Sequence, residues 1–473
     1  MLMENRFCPK CRGDLLLNPY DELVCVKCGN LIKDKEPPKP WQLAQKLQED
    51  HHFITLSDTE EILLFEDGIY ISAGETFIKS VLQNIVSEEY VNKRLCEEVI
   101  GHIQRSTYKQ RNEFENDSLI LVFKNCIFNL LTFEMQSHNP DNLSRVKLPV
   151  AYESNLDCPN IKKFIGEVMY KEDIPVVQEY VGYCLWRNYE AQKALMLVGE
   201  GGNGKSTFIT IIQAMLGINN ISSRSLQDLE MNRFAKASLY DKLANLYPDL
   251  SDVALKSTGT FKSLTGGDPV SAEYKFKNAF SFVNSAKFIF SCNKIPEAHD
   301  DTTAFFRRWI ILVFPNRFEG DKENKSLLKE LTTPEELSGF LNWALEGLKR
   351  LKKNNWVFSY SKSTEEIREA YIRKSSPIQA FLMDRVVDNP DAYISKKELF
   401  KVFAEYCRSF KLPVVTQNTF YTNLPKHKNV AEAKKKYPPG IGPRVNCYLG
   451  IELKDAGTRE DEGQVKLDNG ACD

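Results

Sequence analysis

The chain of 473 residues is long enough for about three domains. With 42% hydrophobic and 27% charged residues, its composition is that of an ordinary globular protein, and a net charge of −2 excludes a polycation, so any nucleic-acid surface must be local. No apolar run approaches the roughly 20 residues of a membrane span, and the N-terminus lacks a signal-peptide core. The sequence therefore predicts a cytoplasmic protein without membrane contacts.

A cluster of four cysteines lies near the N-terminus. Cys8, Cys11, Cys25 and Cys28 form the pattern C-x2-C-x13-C-x2-C. Each C-x2-C pair can form a tight turn that presents two thiolates, and two such turns complete a tetrahedral Zn²⁺ site. Because the metal uses all four sulfur atoms, no position stays open for catalysis. We predict a structural zinc ribbon over residues 1–36, with either DNA or protein as its partner.

A mixed α/β region is predicted for residues 37–165, after a linker rich in proline and lysine. The segment EILLFEDGIYIS predicts two short strands around a turn at Asp67 and Gly68. Residues 77–104 have helical spacing, and SLILVFKNCIFNLLTFEM predicts a hairpin with its turn near Lys124 and Asn125. No catalytic cluster is visible in this region.

The segment KALMLVGEGGNGKSTFITIIQAMLG combines a strand, a glycine-rich loop and a helix. Residues 194–198 are a short apolar strand, and residues 208–216 form one apolar helical face that Gly217 can cap. The loop between them fits the phosphate-binding motif G-x-x-x-x-G-K-[ST], in the context that the motif requires. Its residues are Gly199, Glu200, Gly201, Gly202, Asn203, Gly204, Lys205, Ser206 and Thr207.

This loop predicts the binding of ATP and Mg²⁺. Glycines let the backbone N–H groups face the phosphates, and the helix N-terminus adds positive potential. Lys205 can reach the β- and γ-phosphates, and the hydroxyl of Ser206 can ligate Mg²⁺. The loop alone does not identify the class of protein, since kinases, transporters, regulators and helicases share it.

A P-loop ATPase also needs polar residues at the ends of neighbouring strands. A moderately apolar strand ends at Asp249, which could hold Mg²⁺ and polarise water, and the strand KFIFSC ends at Asn293. The amide of Asn293 can donate and accept at once, which suits contact with the γ-phosphate or its attacking water. Intervals of 44 residues separate Lys205 from Asp249 and Asp249 from Asn293, enough for one crossover each. The alternative for Asp249 and Asn293 is plain turn chemistry.

Two adjacent arginines, Arg307 and Arg308, precede the apolar strand WIILVF. An arginine that stabilises transition-state charge is commonly delivered in trans from a neighbouring subunit. Because side chains alternate along a strand, only one of the two is expected to reach a phosphate, and the sequence does not distinguish them. The alternative is a pair of surface salt bridges.

The segments GEGGNGKST, NLYPDLSD, FKSLTGGDPVSAEYKFKNAFSF, FIFSCNKIP and FFRRWIILVF, in this order, resemble the motifs of superfamily 3 helicases. The similarity covers roughly residues 60 to 450. The branch that these motifs resemble is the helicase half of primase–helicases of the phage, plasmid and poxvirus type, as found in archaeal mobile elements. It implies an AAA+-like P-loop ATPase domain, with a parallel sheet, over residues 166–355. The family implies a homo-hexameric ring that translocates on single-stranded DNA, usually 3′ to 5′.

The resemblance also implies roles for single residues. Lys205 and Ser206 would bind ATP and Mg²⁺, Asp249 would be the acidic Mg²⁺ ligand, and Asn293 would be the polar sensor. Arg307 or Arg308 matches the arginine finger. The single acid in place of the family's adjacent pair leaves the water-activating residue open.

A basic hairpin of the family, which lines the central channel, matches KSLTGGDPVSAEYKFK. The match points to Lys275, Phe276 and Lys277 as DNA contacts. On a strand, the two lysines would share one face and track phosphates, and an aromatic ring could stack on bases. The alternative is a solvated hairpin with a core phenylalanine.

Residues 356–454 read as three helices and a strand pair around a basic loop, which looks like the winged-helix domain of this family. The segment VVTQNTFYTNLPKHKNV would supply the recognition helix, with Lys426 and Lys428, and with residues 434–436 and Arg444 near the wing. Such a patch would bind phosphates without reading sequence; the alternative is a solvated charged face. Residues 455–473 are predicted to be disordered.

The resulting hypothesis is an α/β multidomain, ATP-dependent DNA helicase that unwinds forked DNA during replication of a virus or plasmid. One alternative is the helicase component of a primase–helicase, with a primase or other replisome protein as partner, because residues 37–190 offer no D-x-D or D-x-E with a suitable histidine. A second alternative is a zinc-ribbon and winged-helix ATPase that acts in transcription. Strand displacement from a 3′-tailed fork separates these hypotheses.

Overall fold

The computed structural model of the chain forms two compact units, residues 1–153 with 276–280, and residues 154–275 with 281–473. It describes residues 10, 12, 15–17, 23–25, 27–28, 31–32, 38–115, 119–276, 279–298, 300, 302–318, 326–410, 412 and 414–454. Across these residues, none of the helices combines the length and the apolar character that crossing a membrane requires.

The first unit begins with a three-stranded antiparallel sheet. Strands β1 (Leu15–Leu17), β2 (Leu23–Cys25) and β3 (Leu31–Ile32) pair in sequence order. Leu15, the first residue of β1, lies opposite Cys25, the last residue of β2. Cys25 is therefore at the end of the sheet where β1 begins. Cys8 and Cys11, two of the four predicted zinc ligands, fall outside the described residues.

The rest of the first unit is mixed α/β. Its elements are α1 (Pro40–Asp50), β4 (Phe53–Leu56), β5 (Ile62–Glu66), β6 (Ile69–Ile71), α2 (Gly74–Ile85), α3 (Lys93–Ser106), β7 (Tyr108–Lys109), α4 (Asn112–Glu115), β8 (Ile120–Val122), β9 (Ile127–Asn129) and β10 (Met135–Gln136). Strands β4 to β7 form one sheet, in the order β6-β5-β4-β7, and β8 to β10 form another. Buried side chains of α1, α2, α3, β4 and β5 form one apolar core.

Both hairpins predicted in this unit are present. Strands β5 and β6 pair antiparallel, and Asp67 and Gly68 between them have φ values of +51° and +92°. Two consecutive positive φ values are what a two-residue hairpin loop requires, which explains the preference for Asp-Gly. Strands β8 and β9 also pair antiparallel, with the turn at residues 123–126. Residues 77–104 form parts of two helices, because the side chain of Asn92 caps a new one by accepting from Leu95 N.

The second unit contains the predicted parallel sheet. Its first part consists of α5 (Pro159–Val168), α6 (Ile174–Tyr183), β11 (Ala194–Val198), α7 (Lys205–Leu216), β12 (Ile221–Ser222), α8 (Leu226–Met231), β13 (Ala244–Tyr247), α9 (Gly259–Gly266), β14 (Pro269–Ala272), β15 (Phe280–Val283), β16 (Lys287–Cys292), α10 (Thr303–Phe306), β17 (Trp309–Val313), α11 (Leu327–Leu331) and α12 (Pro334–Lys353). Five of these strands form one sheet, in the order β12-β13-β16-β11-β17, and all four pairings are parallel.

The strands of this sheet are buried on both faces, which is why they read as continuous apolar runs. Every residue of β11 and β16 is buried, including Lys287 at the start of β16. Gly217 ends α7 with φ +87°, as the sequence predicts. Because the strands are parallel, their carboxyl ends all lie at one edge of the sheet, which we call the carboxyl edge. The residues that follow β11, β13 and β16 therefore lie at this edge.

Helices α6 and α12 pack closely at two glycines. A Cβ atom added to Gly182 would lie 2.2 Å from Ala344 O, and one added to Gly347 would lie 2.2 Å from Gln178 O. Between the helices, Glu179 is fully buried and accepts from Arg350 Nε at 2.6 Å. Thr333 is the N-cap of α12, and its side chain accepts from Glu336 N.

The last part of the chain has its own apolar core. It consists of α13 (Thr364–Ser375), α14 (Pro377–Arg385), β18 (Val386–Ser395), α15 (Lys396–Ser409), α16 (Gln417–His427), β19 (Ala431–Lys436) and β20 (Arg444–Leu453), with the sheet order β18-β20-β19. The three predicted helices of this region, α14 to α16, and the predicted strand pair are present. Strand β18 was not predicted, because its sequence contains Asn389, Pro390 and Asp391, which are typical of turns.

Candidate nucleotide-binding site

The predicted phosphate loop joins the carboxyl end of β11 to the N-terminus of α7. Gly202 and Gly204 adopt φ values of +76° and +88°, which L-residues with a side chain rarely adopt. Gly204 is the N-cap of α7, and a Cβ there would lie 2.8 Å from Val168 Cγ1 of α5. Two of the loop's glycines are therefore required for the backbone conformation, and Gly204 also for close packing.

The ammonium group of Lys205 lies inside this loop. Lys205 is 7% exposed, and its Nζ donates to Gly199 O at 2.5 Å, Glu200 O at 3.1 Å and Asn203 Oδ1 at 3.1 Å. Burial lowers the pKa of Lys205, and the nearby Asp249 carboxylate partly offsets that effect. A lysine held in this way can turn towards an anion in the loop by exchanging its backbone acceptors for phosphate oxygens.

Asn203 connects the loop to the segment after β17 through its side-chain amide, and the motif pattern does not reveal this role. Its buried amide donates from Nδ2 to Phe314 O at 3.2 Å while its Oδ1 accepts from Lys205. Phe314 directly follows β17, the neighbour of β11 in the sheet. An asparagine at a variable position of the motif carries no sequence signal for this contact, so only the structure shows it.

Asn293 and Asp249 lie at the same edge of the sheet as the loop. Gly199 N donates to Cys292 O at 3.3 Å, which places the start of the loop beside the end of β16. The Oδ1 atom of Asn293 accepts from Lys205 Nζ at 3.5 Å, the limit of a hydrogen bond. The side chains of Asp249 and Asn293 are both exposed at this edge, where a ligand can reach them.

Ser206 faces the strand that ends near Asp249. A cavity of about 360 Å³ beside α7 is lined by Ser206, Thr210, Leu246 and Pro248, among others. Pro248 is the residue before Asp249, so the backbone that leads to Asp249 borders the same cavity as Ser206. Oxygen ligands of these two types are those that Mg²⁺ prefers.

Arg307 and Arg308 lie at the opposite edge of the same sheet. Ala194 N, at the start of β11, donates to Arg308 O at 2.7 Å, so both arginines are at the amino ends of the strands. The five-residue β11 separates them from the phosphate loop of the same chain by roughly 13 Å along the strand. The loop and the arginines therefore do not form one site within a single chain.

The structure distinguishes the two arginines. Arg308 is buried, and its guanidinium donates to Thr265 Oγ1 at 2.9 Å, Lys262 O at 3.4 Å and Ala304 O. Arg307 is exposed, and its Nη2 donates to Gln192 Oε1 at 3.1 Å. Arg308 is thus engaged in the interior of its own chain, whereas Arg307 faces outwards.

The expectation that Lys275 lies on a strand is wrong. Strand β14 ends at Ala272, and residues 275–276 form a turn before β15. Phe276 has φ +65°, which is incompatible with a strand, and its side chain is 92% exposed. The alternative of a core phenylalanine is therefore also wrong. Lys277 lies outside the described residues.

The other predicted contacts lie elsewhere. Lys426 Nζ donates to Asn423 Oδ1 at 2.8 Å, and Lys428 Nζ pairs with Asp388 at 2.9 Å, so both have partners within the chain. Cys25 is buried and Cys28 is exposed. Over the part of the chain that the structure describes, no three His, Cys, Asp or Glu side chains cluster as a metal site, and Cys8 and Cys11 are not in that part.

One D-x-E sequence, Asp58-Thr59-Glu60, does occur within residues 37–153. It lies in the turn after β4, where Arg111 Nε and Nη2 donate to Asp58 at 2.6 and 3.0 Å. Glu60 has φ +57°. These carboxylates are not on a strand, as a primase pair would be, and Asp58 is bound to an arginine.

Comparisons with protein families match two stretches of the chain. A family described as D5 N terminal like matches residues 43–170, and a family of unknown function, DUF5906, matches residues 197–308. The second stretch begins in β11 and ends at Arg308, so it includes the phosphate loop, Asp249 and Asn293.

Two viral relatives are named as helicases. The "Putative helicase L207/L206" of Acanthamoeba polyphaga mimivirus is 25% identical over 332 residues, which are 63% of this chain and 34% of that protein. The "Putative helicase 184R" of Invertebrate iridescent virus 6 is 23% identical over 240 residues, which are 46% of this chain and 24% of that protein. The chain thus spans about a third of the length of the mimivirus protein and about a quarter of the length of the iridescent virus protein.

Among solved structures, the apo C-terminal region of NrS-1 is similar, with a TM-score of 0.45 and 11% identity. The similarity covers 88% of this chain and 100% of that one. Together, the family matches and the named viral relatives make the chain similar to D5-like viral helicases.

Proposed function

We propose that this chain, which is similar to viral helicases of the D5 type, is an ATP-dependent DNA helicase of superfamily 3. One observation carries the proposal: the chain has two incomplete halves of an ATPase site at opposite edges of one sheet. Lys205, Asp249 and Asn293 lie at the carboxyl edge, and Arg307 faces outwards at the amino edge. The strand order, with β16 between β11 and β13, supports an AAA+-like core.

The loop edge fits ATP and Mg²⁺. The backbone around Gly202 and Gly204 is curled, Gly204 provides no side-chain cap at the N-terminus of α7, and Lys205 supplies a positive charge. We assign Ser206 and Asp249 as the protein ligands of Mg²⁺, which when bound neutralises phosphate charge. Asn293 would position the attacking water or the γ-phosphate. The water-activating base is not assigned.

The arginine edge supports an oligomer. Because Arg307 is separated from its own loop by the length of β11, it can act on ATP only in a neighbouring copy. Repeating this head-to-tail contact generates a ring when the rotation closes. We therefore propose a homo-hexamer in which Arg307, rather than Arg308, completes the site of the next subunit.

Two surfaces are proposed to contact DNA. The exposed Phe276 and neighbouring Lys275 follow β14 in an exposed turn, consistent with a hairpin that contacts single-stranded DNA. In the last part of the chain, the order helix, strand, two helices and two strands supports a winged helix. Its lysines 434–436 are exposed on β19, so they are better placed for phosphates than Lys426 and Lys428.

The N-terminal residues are proposed to form a zinc ribbon. The antiparallel pairing of β1 with β2 is compatible with a site of four cysteines. It places Cys25 opposite Leu15, the first residue of β1, and Leu15 follows Cys11 by four residues in the sequence. Zn²⁺ bound there would stabilise a segment of about 36 residues, a length at which small domains usually need a metal or disulfides. Its partner, DNA or protein, is left open.

Replication of a virus or plasmid is the proposed setting, since the relatives named as helicases are viral proteins. Priming is not assigned to the D-x-E at Asp58, because it does not have a primase geometry. A transcription ATPase would share the same domains but would not displace a strand.

A strand-displacement assay tests the proposed function. Wild-type protein with ATP and Mg²⁺ should release the labelled strand of a 3′-tailed fork, and a 5′-tailed substrate checks the polarity. Lys205→Ala should remove ATP-dependent release while the protein stays folded. ATP hydrolysis stimulated by DNA without any release would contradict the helicase and favour a remodelling ATPase.

A further inference from the structure

The hairpin of β19 and β20 ends in an apolar tip. The two strands pair as far as Lys436 and Arg444, which lie opposite each other, and residues 437–443 between them read YPPGIGP. This loop contains no charged side chain, and its three prolines are exposed. Ile441 is 93% exposed, a larger fraction than for any other large hydrophobic side chain that the structure describes. The end of the hairpin therefore presents apolar surface to solvent.

The backbone of this tip is constrained. Tyr437 packs against the apolar core of the last part of the chain, and its backbone N donates to Pro443 O at 3.1 Å, which closes the loop. Inside the loop, Gly442 N donates to Pro438 O at 3.0 Å. A Cβ atom added to Gly442 would lie 1.8 Å from Tyr437 O, so only glycine fits there. Ile441 is thus held on a preorganised turn, and little conformational entropy is lost when it contacts a ligand.

Positive charge lies at the base of the tip. Lys434, Lys436 and Arg444 share one face of the hairpin, because side chains alternate along a strand and directly opposite residues of an antiparallel pair lie on the same side. Lys435 lies on the other face, and all four side chains are exposed. The carboxylate of Glu432, the one acidic residue of β19, is paired with a lysine of α15 at 2.6 Å. The hairpin therefore offers cations to a polyanion.

The order of these groups matches the end of a DNA duplex. Lys436 and Arg444 stand on the two strands of the hairpin, and the apolar loop that carries Ile441 lies beyond them. A base pair has the corresponding order, with a phosphate backbone on each side of apolar, stacked rings. Proteins that part stacked bases use aliphatic side chains such as isoleucine for insertion and cations for the neighbouring phosphates. Charge and shape therefore favour DNA as the occupant of this surface.

We propose that Ile441 is a strand-separating wedge, which inserts at the junction between duplex and single-stranded DNA and unstacks the last base pair. This inference rests on the proposed function. Lys436 and Arg444 would hold the phosphates of the two strands while the ATPase core moves the DNA. Unstacking a base step costs free energy, and burial of the aliphatic side chain between the bases offsets part of that cost.

A fork that carries 2-aminopurine in the last base pair of its duplex tests the insertion. The fluorescence of this base rises when a neighbouring base no longer stacks on it, so full-length wild-type protein with a non-hydrolysable ATP analogue should raise it. Ile441→Ala should lose most of the rise, while the salt dependence of DNA binding stays that of the wild-type protein, because no charge is removed. Ile441→Leu keeps a large aliphatic side chain and should retain most of the rise. Ile85→Ala, which changes an exposed isoleucine at the end of α2, is the matched control and should retain all of it.

Strand displacement supplies a second readout. Release of the labelled strand from a 3′-tailed fork should slow about tenfold in Ile441→Ala, equivalent to roughly 1.4 kcal/mol, because each base step then opens without the wedge. Equal fluorescence rises in the wild-type protein and in Ile441→Ala would overturn the inference and leave the proposed function intact. A smaller oligomer of Ile441→Ala in sedimentation would also overturn it, since the tip would then contact another subunit. Failure of the wild-type protein to release the strand would instead contradict the proposed function.

Discussion

The Nζ atom of Lys205 lies 3.5 Å from the Oδ1 atom of Asn293, although 88 residues separate them in the chain. The contact exists because β11 and β16 are parallel neighbours, so the residues that follow them leave the sheet side by side. Two groups that a γ-phosphate would contact, a cation and an amide, are thus already adjacent. Small changes at either residue should separate nucleotide binding from turnover.

Asn293 gives the first prediction. Asn293→Ala removes the amide at the phosphate edge but no buried contact, because the side chain is exposed. We expect ATP affinity to change by less than about threefold and kcat to fall by roughly 100-fold, the size typical for loss of one positioned polar group. Steady-state hydrolysis and equilibrium binding measure the two quantities separately.

Asn293→Asp is the more discriminating variant. It keeps the size of the side chain but replaces an amide with a carboxylate beside the phosphates, so we expect weaker ATP binding as well as impaired turnover. Equal kcat values for the wild-type protein and both variants would mean that Asn293 is only a turn residue.

The glycines of the loop provide the second prediction. Gly204→Ala introduces a Cβ at φ +88° and 2.8 Å from Val168 Cγ1, so we expect a loss of at least about 1–2 kcal/mol in the free energy of unfolding, together with loss of ATP binding. Gly201→Ala is the control, since a Cβ there meets nothing within 4 Å. Thermal melts with and without ATP distinguish the two; equal melts and equal ATP shifts would contradict the loop geometry.

Sequence reasoning predicted the strand, loop and helix around Lys205 because that pattern is local. It also predicted the strands that end near Asp249 and Asn293, since their apolar runs are bounded by polar residues. It could not separate Arg307 from Arg308, because that difference depends on Thr265 and Gln192, which are distant in the chain. It placed Lys275 on a strand because an alternating pattern does not reveal the positive φ of Phe276.

The two arginines give the third prediction. Arg307→Ala should leave ATP binding and thermal stability unchanged and remove most ATP turnover, because the exposed side chain serves a neighbouring subunit. Arg308→Ala should destabilise the fold by about 1–3 kcal/mol, since it leaves the buried acceptors at Thr265 and Ala304 without their donor. Thermal melts and hydrolysis rates measured on both variants check this assignment.

Mixing subunits tests whether the arginine acts in trans. Arg307→Ala and Lys205→Ala proteins are each expected to be inactive, but mixed oligomers contain interfaces with an intact loop and an intact arginine. Part of the ATPase activity should therefore return on mixing. An Arg308→Ala protein that is stable and inactive, beside a fully active Arg307→Ala protein, would reverse the assignment.

The four N-terminal cysteines give the fourth prediction. Purified wild-type protein should contain one Zn²⁺ per chain by elemental analysis, and Cys28→Ser should reduce that amount strongly, because a tetrahedral site built from four cysteines needs all four thiolates. Cys96→Ser, which changes a cysteine of α3 outside the pattern, is the control and should retain the metal. Wild-type protein that is free of zinc after purification without chelators would rule out the ribbon.

The lysines of β19 give the last prediction. Side chains 434–436 are exposed, whereas Lys428 is paired with Asp388 and Lys426 bonds to Asn423, so β19 should provide the phosphate contacts. Changing all three β19 lysines to alanine should weaken binding to duplex DNA. The slope of the logarithm of the DNA-binding constant against the logarithm of the salt concentration should decrease in magnitude by roughly 3, because each lysine that no longer neutralises a phosphate removes about 1. The matched variant, with Lys426 and Lys428 changed to alanine, should change the slope by less than about 1. Because contacts to phosphates carry no sequence information, the weakening should be the same on unrelated duplexes. A larger change of slope in the matched variant would move the DNA contact from the β19 hairpin to the end of α16.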